Sequence, residues 1–271
     1  MTVDLSNNLF IGGSFDRLGT NDQFSIRYAA KYNTSTNTWI DISGNGLITN
    51  DVKSFAVDTS NNVYFTGGNK LLKHLNNTGI TINPRNIYGG QFNSGLGGCC
   101  VDLSVTVYVV GGYTTAETGY NNNDLSRNGI SRWQPINDVS LTLMNDFRNS
   151  PNSVGLTNGG NFFFASCDLS NNIYIGGNFA TVNGVTNNYI TKYNGNTSTF
   201  DLSVGQVGFN AVTRALTIDT SNNVYVIGDF TTVNGISANG LAKLTPPLTW
   251  SSIPSGDLSG STYGGYSISQ D

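Results

Sequence analysis

The sequence has few of the side chains that enzymes and metal sites commonly use. Its 271 residues include one histidine, three cysteines and one glutamate, Glu117, and charged residues make up 11% of the chain. About a quarter is usual in a soluble domain. A Ser-His-Asp triad would have to use His74, and no Gly-x-Ser-x-Gly elbow accompanies it. No pair of His or Cys residues has zinc spacing. We therefore predict a protein that is not an enzyme and needs no cofactor.

Charge and hydropathy exclude further partners. The net charge is −4 and only 13 residues are Lys or Arg, so no basic stripe is available to neutralise phosphates. No apolar run approaches the roughly 18 residues that span a bilayer. The N-terminus lacks a basic region followed by an apolar stretch, so no signal peptide is predicted in this chain. We predict no nucleic-acid partner and no membrane insertion.

The three cysteines do not form a disulfide framework. Cys99, Cys100 and Cys167 are too few and odd in number, and each lies beside or within an apolar strand pattern. We predict buried free thiols. Such thiols favour assembly in a reducing compartment.

Uncharged polar and aromatic residues are abundant instead. The chain contains 38 Asn and 33 Gly, and 11% of its residues are aromatic. Gly, Asn and Ser favour tight turns, whereas Val, Ile, Thr, Tyr and Phe favour strands. The aromatic content and the low net charge argue against disorder. The composition predicts many short strands joined by tight turns.

An Asp-x-Ser-Asn-Asn motif followed by an apolar run and Gly-Gly recurs along the chain. The five copies, of which the third is degenerate in its turn, start at Asp4, Asp58, Asp102, Asp168 and Asp219. Their starts are 44 to 66 residues apart, and propeller blades of four strands repeat at about 40 to 50 residues. The Asp carboxylate is suited to accept the backbone N–H two residues on, and Asn tolerates positive φ.

The pattern of each repeat unit predicts four antiparallel strands, and it shows no helical periodicity. Apolar runs flank each Asp motif, a third strand carries a basic residue, and a weaker fourth strand follows. We predict an all-β protein, a single β-propeller domain over residues 1–271, with five blades and with six as the alternative. A stack of sandwiches or a solenoid is a weaker alternative. The predicted units are residues 1–50, 51–90, 91–150, 151–208 and 209–260, with 261–271 as a closing strand. This strand is expected to share a closing blade with residues 2–4, and a chain that is part of a longer array is the alternative.

Units four and five carry a family resemblance. Residues 179–184 (Phe-Ala-Thr-Val-Asn-Gly) and 230–244 resemble the delta-sixty type β-propeller repeat. The Asp-x-Ser-Asn-Asn-x-Tyr core is similar to the repeat of the bacterial seven-bladed propeller family, and the Asn-rich version resembles repeats of large DNA viruses that infect protists. The resemblance implies a propeller fold with surface or scaffold roles, and it supplies no catalytic motif.

Matching charged residues form the most regular candidate constellation. The repeated set combines the five motif aspartates with one cation in each third strand: Asp4, Asp58, Asp102, Asp168, Asp219, Lys31, Lys73, Arg132, Lys192 and Lys243. Two interpretations are open. A repeated contact between Asp and the cation would fix the geometry of each unit, whereas a cationic ring along a channel would hold an anion. Repetition in every unit favours the first.

Three further patterns have weaker chemical meaning. The Asp-x-Ser-x-Asn spacing is similar to the first half of a calcium loop, but the bidentate Glu is absent, which favours a turn cap. His74 occupies the third-strand slot that is Tyr, Trp or Leu elsewhere, which favours packing over a role as a general base. The sialidase-type box is not matched, because residues 32–39 lack its Asp and Gly. Paired Asp carboxylates could still catalyse glycoside hydrolysis.

The connections between strands two and three give the best clue to function. They vary in length, and those of units one and three carry aromatic and Arg side chains of the kind used in contacts with proteins or glycans. We predict a binding surface there, with ordinary solvated loops as the alternative. Its proposed residues are Phe15, Arg17, Phe24, Arg27, Tyr113, Tyr120 and Arg127.

These features predict a structural, attachment or protein-interaction module on a virion or cell surface. A secreted bacterial protein is the alternative source. A glycan-binding, lectin-like propeller is the second function, with Tyr32, Trp133 and Tyr193 at matching positions. A glycosidase or lyase that uses Asp residues of the channel is the third. The partner is therefore a protein or a surface glycan.

Overall fold

Strands make up nearly all of the regular structure. A computed structural model describes residues 1–18, 25–44, 46–83, 92, 94–113, 115–117, 124–126, 129–137, 140–143, 160–253 and 268. Within those ranges the chain forms 26 strands and a 3-10 turn at Leu202–Val204, and it forms no α-helix. The prediction of an all-β protein is confirmed.

Repeat units one and two each form a four-stranded antiparallel sheet in which spatial order follows chain order. The first sheet contains β1 (Thr2–Val3), β2 (Leu9–Gly12), β3 (Ala29–Asn33) and β4 (Thr38–Asp41). The second contains β5 (Val52–Val57), β6 (Val63–Gly67), β7 (Lys70–Leu75) and β8 (Ile80–Ile82). The two-residue β1 pairs with β2.

Units three to five repeat this sheet and add a small hairpin between the second and third strands. Unit three contains β9 (Leu96–Val101), β10 (Val107–Gly111), the hairpin β11 (Thr115–Glu117) and β12 (Asp124–Ser126), β13 (Ile130–Asn137) and β14 (Ser140–Leu143). Unit four contains β15 (Asn161–Cys167), β16 (Asn172–Asn178), the hairpin β17 (Thr181–Val182) and β18 (Val185–Thr186), β19 (Ile190–Asn194) and β20 (Thr199–Asp201). Unit five contains β21 (Thr213–Ile218), β22 (Val224–Gly228), the hairpin β23 (Thr232–Val233) and β24 (Ile236–Ser237), β25 (Leu241–Thr245) and β26 (Thr249–Ser252).

The chain divides into two compact units. The first comprises Met1–Val109, Tyr113–Ser126 and Ser131–Asn145. The second comprises Val110–Gly112, Arg127–Ile130 and Asp146–Asp271. The predicted closing strand, residues 261–271, lies outside the described residues except for Ile268.

The apolar core lies between neighbouring sheets rather than within one sheet. Every residue of β6 and of β10 is buried, because these second strands are covered on both faces. The outer strand β4, by contrast, is largely exposed. Phe10, Val52 and Phe65 pack together where sheets one and two meet, and Val204, Phe209 and Trp250 belong to the cluster of sheets four and five. Each such large apolar side chain contributes roughly 1.5–3 kcal/mol when buried.

Each Asp motif closes the turn between the first and second strands, and we call this turn the Asp loop. In all five loops one carboxylate oxygen accepts the backbone N–H groups two and four residues further on, at 2.8–2.9 Å. In four loops the other oxygen accepts the side-chain amide of the last Asn. The predicted Asp cap is confirmed. It satisfies backbone donors that strand pairing leaves free.

The fourth residue of every Asp loop has a left-handed backbone conformation. Its φ lies between 59° and 64° in Asn7, Asn61, Val105, Asn171 and Asn222. Asn tolerates this region, whereas a β-branched residue is strained there. The degenerate third loop therefore carries strain at Val105.

The same Asn also joins neighbouring Asp loops. Asn61 Oδ1 accepts the Leu5 N–H at 2.7 Å, and the Asn61 amide donates to Ser6 Oγ at 3.1 Å. Asn222 repeats the first contact with the Leu169 N–H, at 3.2 Å. We call this contact the Asn latch. A single residue type thus shapes its own turn and links it to the preceding repeat.

Thr213 joins sheets four and five at the other end of the strands. This fully buried side chain accepts the Gly177 N–H at 2.9 Å and donates to the Tyr189 carbonyl at 2.6 Å. Gly177 and Tyr189 belong to the end of β16 and the approach to β19, whereas Thr213 begins β21. One hydroxyl therefore satisfies backbone groups of the neighbouring sheet.

We expect Val105→Asn to stabilise the protein by about 1 kcal/mol, because Asn occupies the left-handed region at lower cost. The melting temperature should rise by a few degrees. The reverse change in the first loop, Asn7→Val, should lower it by a similar amount. Thermal unfolding of both variants checks this, and equal melting temperatures for wild type and Val105→Asn would contradict it.

Thr213→Val should destabilise the fold by about 1–3 kcal/mol, since the valine keeps the shape but removes the hydroxyl that bonds Gly177 and Tyr189. Denaturant unfolding measures the loss. Thr217→Val, a change in the same strand outside this junction, serves as the matched control. A loss no larger than that of the control would show that the junction contributes little.

Candidate functional site

The four third-strand lysines lie over aromatic rings of the second strand. Each pair occupies directly opposed positions of the antiparallel strands, which brings the side chains together on one face. The ammonium-to-centroid distances are 5.5 Å for Lys31 and Phe10, 5.3 Å for Lys73 and Tyr64, 5.9 Å for Lys192 and Tyr174, and 5.4 Å for Lys243 and Tyr225. These are cation–π distances. The stacked pairs stabilise the sheets and orient the cations.

The rings also connect the cations to the Asp loops. The hydroxyls of Tyr108 and Tyr225 donate to Asp102 and Asp219, at 3.3 and 3.2 Å. In unit one the Lys31 ammonium lies 4.0 Å from the Asp4 carboxylate. The structure thus brings members of the predicted Asp and cation set together, mostly through a ring. This geometry supports the interpretation that the set fixes each sheet.

The surroundings of one loop aspartate and of two second-strand tyrosines shift their pKa values. Burial alone would raise the pKa of Asp219, but hydrogen bonds from Asn223, Ser221 and Tyr225 hold that pKa below its usual value. Burial and the nearby loop carboxylates raise the pKa of Tyr64 and of Tyr174. Asp219 therefore stays ionised as an acceptor, and Tyr64 and Tyr174 stay neutral.

His74 belongs to a buried polar cluster between sheets one and two. Its side chain is 1% exposed, its Nδ1 lies 3.0 Å from Thr81 Oγ1, and its ring meets the Phe10 ring edge-on at 5.9 Å. Burial, and next the charge of Lys31, lower the pKa of His74 to about 4, although Asp4 acts in the opposite direction. The predicted packing role is confirmed.

Asn76 completes this cluster and was not identified from the sequence. Its Oδ1 accepts the Lys31 ammonium at 2.7 Å, and its amide donates to Asp4 Oδ2 at 3.1 Å and to the Asn61 carbonyl. Burial lowers the pKa of Lys31, which Asp4 partly offsets. The amide thus bridges a buried ion pair from the neighbouring sheet. Asn76 appeared in the sequence only as one Asn among 38.

The cysteines are free, and two of the three are buried. Cys99 and Cys100 are buried as predicted, whereas Cys167 is half-buried. Burial raises the pKa of Cys99 to about 12. A thiol with that pKa has almost no thiolate at neutral pH, so Cys99 is a packing residue.

Unit five contains an ion pair, Arg214–Asp229, at a position where the other repeats have Gly. Asp229 replaces the second Gly that ends the second strand elsewhere, and Arg214 is the bulged residue of β21. Arg214 Nη2 lies 2.5 Å from Asp229 Oδ2, and its Nε also donates to this carboxylate. Both side chains are about one third exposed. Such a pair contributes at most about 1 kcal/mol. The Gly-to-Asp departure was the available sequence signal.

The predicted loop-surface residues have different positions. Arg17 and Arg27 are exposed and Phe15 is half-buried. Tyr113 corrects the prediction, because it is a core residue that is 1% exposed. Its hydroxyl donates to the Val109 carbonyl at 2.7 Å and lies 2.9 Å from Ser131 Oγ, and its ring packs on Phe92. Phe24, Tyr120 and Arg127 lie outside the residues whose side chains are described.

In the described part of the chain, no group of three or more His, Cys, Asp or Glu side chains is placed to hold a metal ion. Within the same residues, no helix has the length and apolar character needed to cross a membrane.

His74→Phe should remove a pH dependence of stability. The folded pKa of about 4 lies below the unfolded value of 6.5, so the unfolded state binds the proton first as the pH falls. The stability that this provides is complete above pH 6.5 and is lost as the pH falls toward 4, by roughly 2–3 kcal/mol. Denaturant unfolding at several pH values, compared between wild type and His74→Phe, isolates it. A constant difference between the two proteins over this range would contradict the buried neutral state.

Part of the chain matches a protein-family model. The family is described as a domain of unknown function (DUF5122) beta-propeller, and the match covers residues 170–203 and 220–246. These segments contain the second, third and fourth strands of unit four and the second and third strands of unit five. No curated protein matches the sequence at a significant level.

Solved structures show a similar fold at low identity. The extracellular domain of the proposed hybrid two-component system BT4673 from B. thetaiotaomicron has a TM-score of 0.53 and 13% identity, over 93% of this chain and 32% of that one. The corresponding domain of BT3049 from the same organism gives 0.51 and 15%, over 89% and 26%. A streptogramin B lyase gives 0.50 and 15%, over 84% and 63%. The chain thus spans less than two thirds of each structure. With the five similar sheets, these likenesses identify a β-propeller repeat protein.

Proposed function

We propose that this chain is a non-enzymatic propeller of five four-stranded blades that serves as an interaction or structural module outside the cell. Five described sheets of the same order support the blade count over the alternative of six. The extracellular domains among the similar structures support the location, which would suit a secreted bacterial protein. Placement on a virion rests on the Asn-rich resemblance alone.

The distribution of chemical groups carries this proposal. The five loop carboxylates accept hydrogen bonds within their own turns, and the sole histidine is buried with a neutral side chain. None of these groups is placed as a free acid or base. Exposed hairpins between the second and third strands, in contrast, are set on a rigid scaffold. That combination favours recognition over catalysis.

Glycan binding is the second candidate. Tyr32 and Trp39 lie on opposed positions of β3 and β4, with ring centroids 5.0 Å apart, and both are half-buried. Partly exposed aromatic rings are suited to stack on sugars. Trp133 and Tyr193, the matching predicted platforms, are buried and belong to the core. A glycosidase or lyase would instead need two carboxylates about 5–10 Å apart in a common pocket.

A glycan array with the purified chain separates these functions. We expect no saturable signal from wild type, because the proposed partner is a protein. Trp39→Ala, Phe24→Ala and Tyr120→Ala are screened beside it. Saturable binding that Trp39→Ala abolishes would overturn the proposal in favour of a lectin, and loss in the Phe24 or Tyr120 variants would place the glycan on the loops of units one and three.

A further inference from the structure

Two matching hairpins project from the second compact unit. The hairpins β17–β18 and β23–β24 each turn through Asn-Gly, with φ of 53° and 74° at Asn183 and Gly184 and of 49° and 79° at Asn234 and Gly235. Asn-Gly with both φ values positive is the tight turn that suits antiparallel strands. The two hairpins are therefore rigid, and they differ little in backbone.

The connection between units four and five is fixed between these hairpins. Its Gly205 carbonyl accepts the Asn188 N–H at 2.7 Å, and its Gly208 carbonyl accepts the Asn234 N–H at 2.8 Å. Asn210 Oδ1 accepts the N–H groups of Thr231 and Thr232, at 2.9 and 3.0 Å. Residues 205–210 are thus bonded on one side to the segment after β18 and on the other to the hairpin β23–β24.

Three apolar side chains lie exposed on these segments. Val185 of β18 is 45% exposed, Val207 of the connection is 62% exposed, and Ile236 of β24 is 39% exposed. Val185 and Ile236 occupy the same position of their hairpins, directly after Asn-Gly. Their partners Val182 and Val233 are fully buried and hold the hairpins to the core. We call residues 178–189, 205–212 and 230–240 the hairpin surface.

The hairpin surface carries no charge and no exposed Phe ring. Its three segments contain no Asp, Glu, Lys, Arg or His. Its phenylalanines Phe179, Phe209 and Phe230 are all buried. Depletion of charge around apolar side chains is typical of the centre of a protein interface. Without charge the surface cannot attract an acidic or basic partner electrostatically. Its remaining aromatic ring, Tyr189, is half-buried and packs against the core cluster.

We propose that the hairpin surface is the docking site for a partner protein that presents an uncharged, apolar segment. Val185, Val207 and Ile236 are its anchors, and Asn and Thr side chains form its rim. Because the backbone is fixed before binding, little entropy is lost on docking. This inference rests on the proposed function and names the surface that performs it.

A random peptide library displayed on phage tests the docking site with a defined probe. Wild-type protein is the target, and Val207→Lys is used for depletion. Val185→Lys and Ile236→Lys follow as separate variants. Leu248→Lys is the matched control, since Leu248 is 38% exposed in the same compact unit but lies outside the hairpin surface. Thermal unfolding should show that all four variants keep the wild-type melting temperature within a few degrees.

The expected result is a set of enriched peptides with apolar anchors and no net charge. Their affinity should fall at least about tenfold in the three hairpin-surface variants and stay unchanged in Leu248→Lys. No enrichment, charged peptides, or equal binding to Val207→Lys would overturn the inference. If Arg27→Ala abolished peptide binding instead, the docking site would lie elsewhere and this inference would be wrong, but the proposed function would stand. A positive glycan array would contradict both the inference and the proposed function.

Sedimentation of the chain alone checks the competing occupant. We expect a monomer across the accessible concentrations. Self-association that Val207→Lys abolishes and Leu248→Lys retains would show that a second copy covers the hairpin surface, and the assignment to a different protein would then be wrong.

Discussion

The capped turn of the Asp loop is the constraint on which the rest of the structure depends. One carboxylate oxygen holds two backbone N–H groups in every repeat, so the turn has one conformation and the first two strands have one register. A shift by one residue would exchange the faces of each strand. Because the register is fixed, apolar side chains of the second strand reach the neighbouring sheet of the same compact unit, and the core forms between sheets.

The same register explains where the repeated charged groups lie. Lys31 is opposed to Phe10 and Lys243 to Tyr225, so each of these two ammonium groups lies over a ring. Lys192 lies over Tyr174 and also pairs with Asp201 at 3.5 Å. The carboxylates face their own turns. The loop carboxylates are thereby occupied as acceptors, and the parts of the repeat that vary are the connections.

Local features could be predicted from the sequence, whereas long-range packing could not. The repeats, the strand order within each sheet and the Asp cap depend on residues close in sequence, and all appear in the structure. Tyr113 was predicted to lie on a binding surface because it follows a strand at the start of a long connection, but Phe92, from the segment before β9, packs against its ring. Asn76 and Asn210 likewise gain their roles from partners in neighbouring segments. Nothing in their own sequence surroundings distinguishes them from other Asn residues.

The Asn latch has a consequence for how such a chain can lengthen. Asn61 meets Leu5 and Ser6, and Asn222 makes the same contact with Leu169, so donor and acceptor lie in the same motif. A tandem duplication of one repeat would bring its own latch and a matching place for the next. Nearest-neighbour contacts of this kind let repeat arrays gain or lose units while each junction stays the same. A repeat that carries this motif can therefore be added or lost while the contact between neighbouring Asp loops is kept.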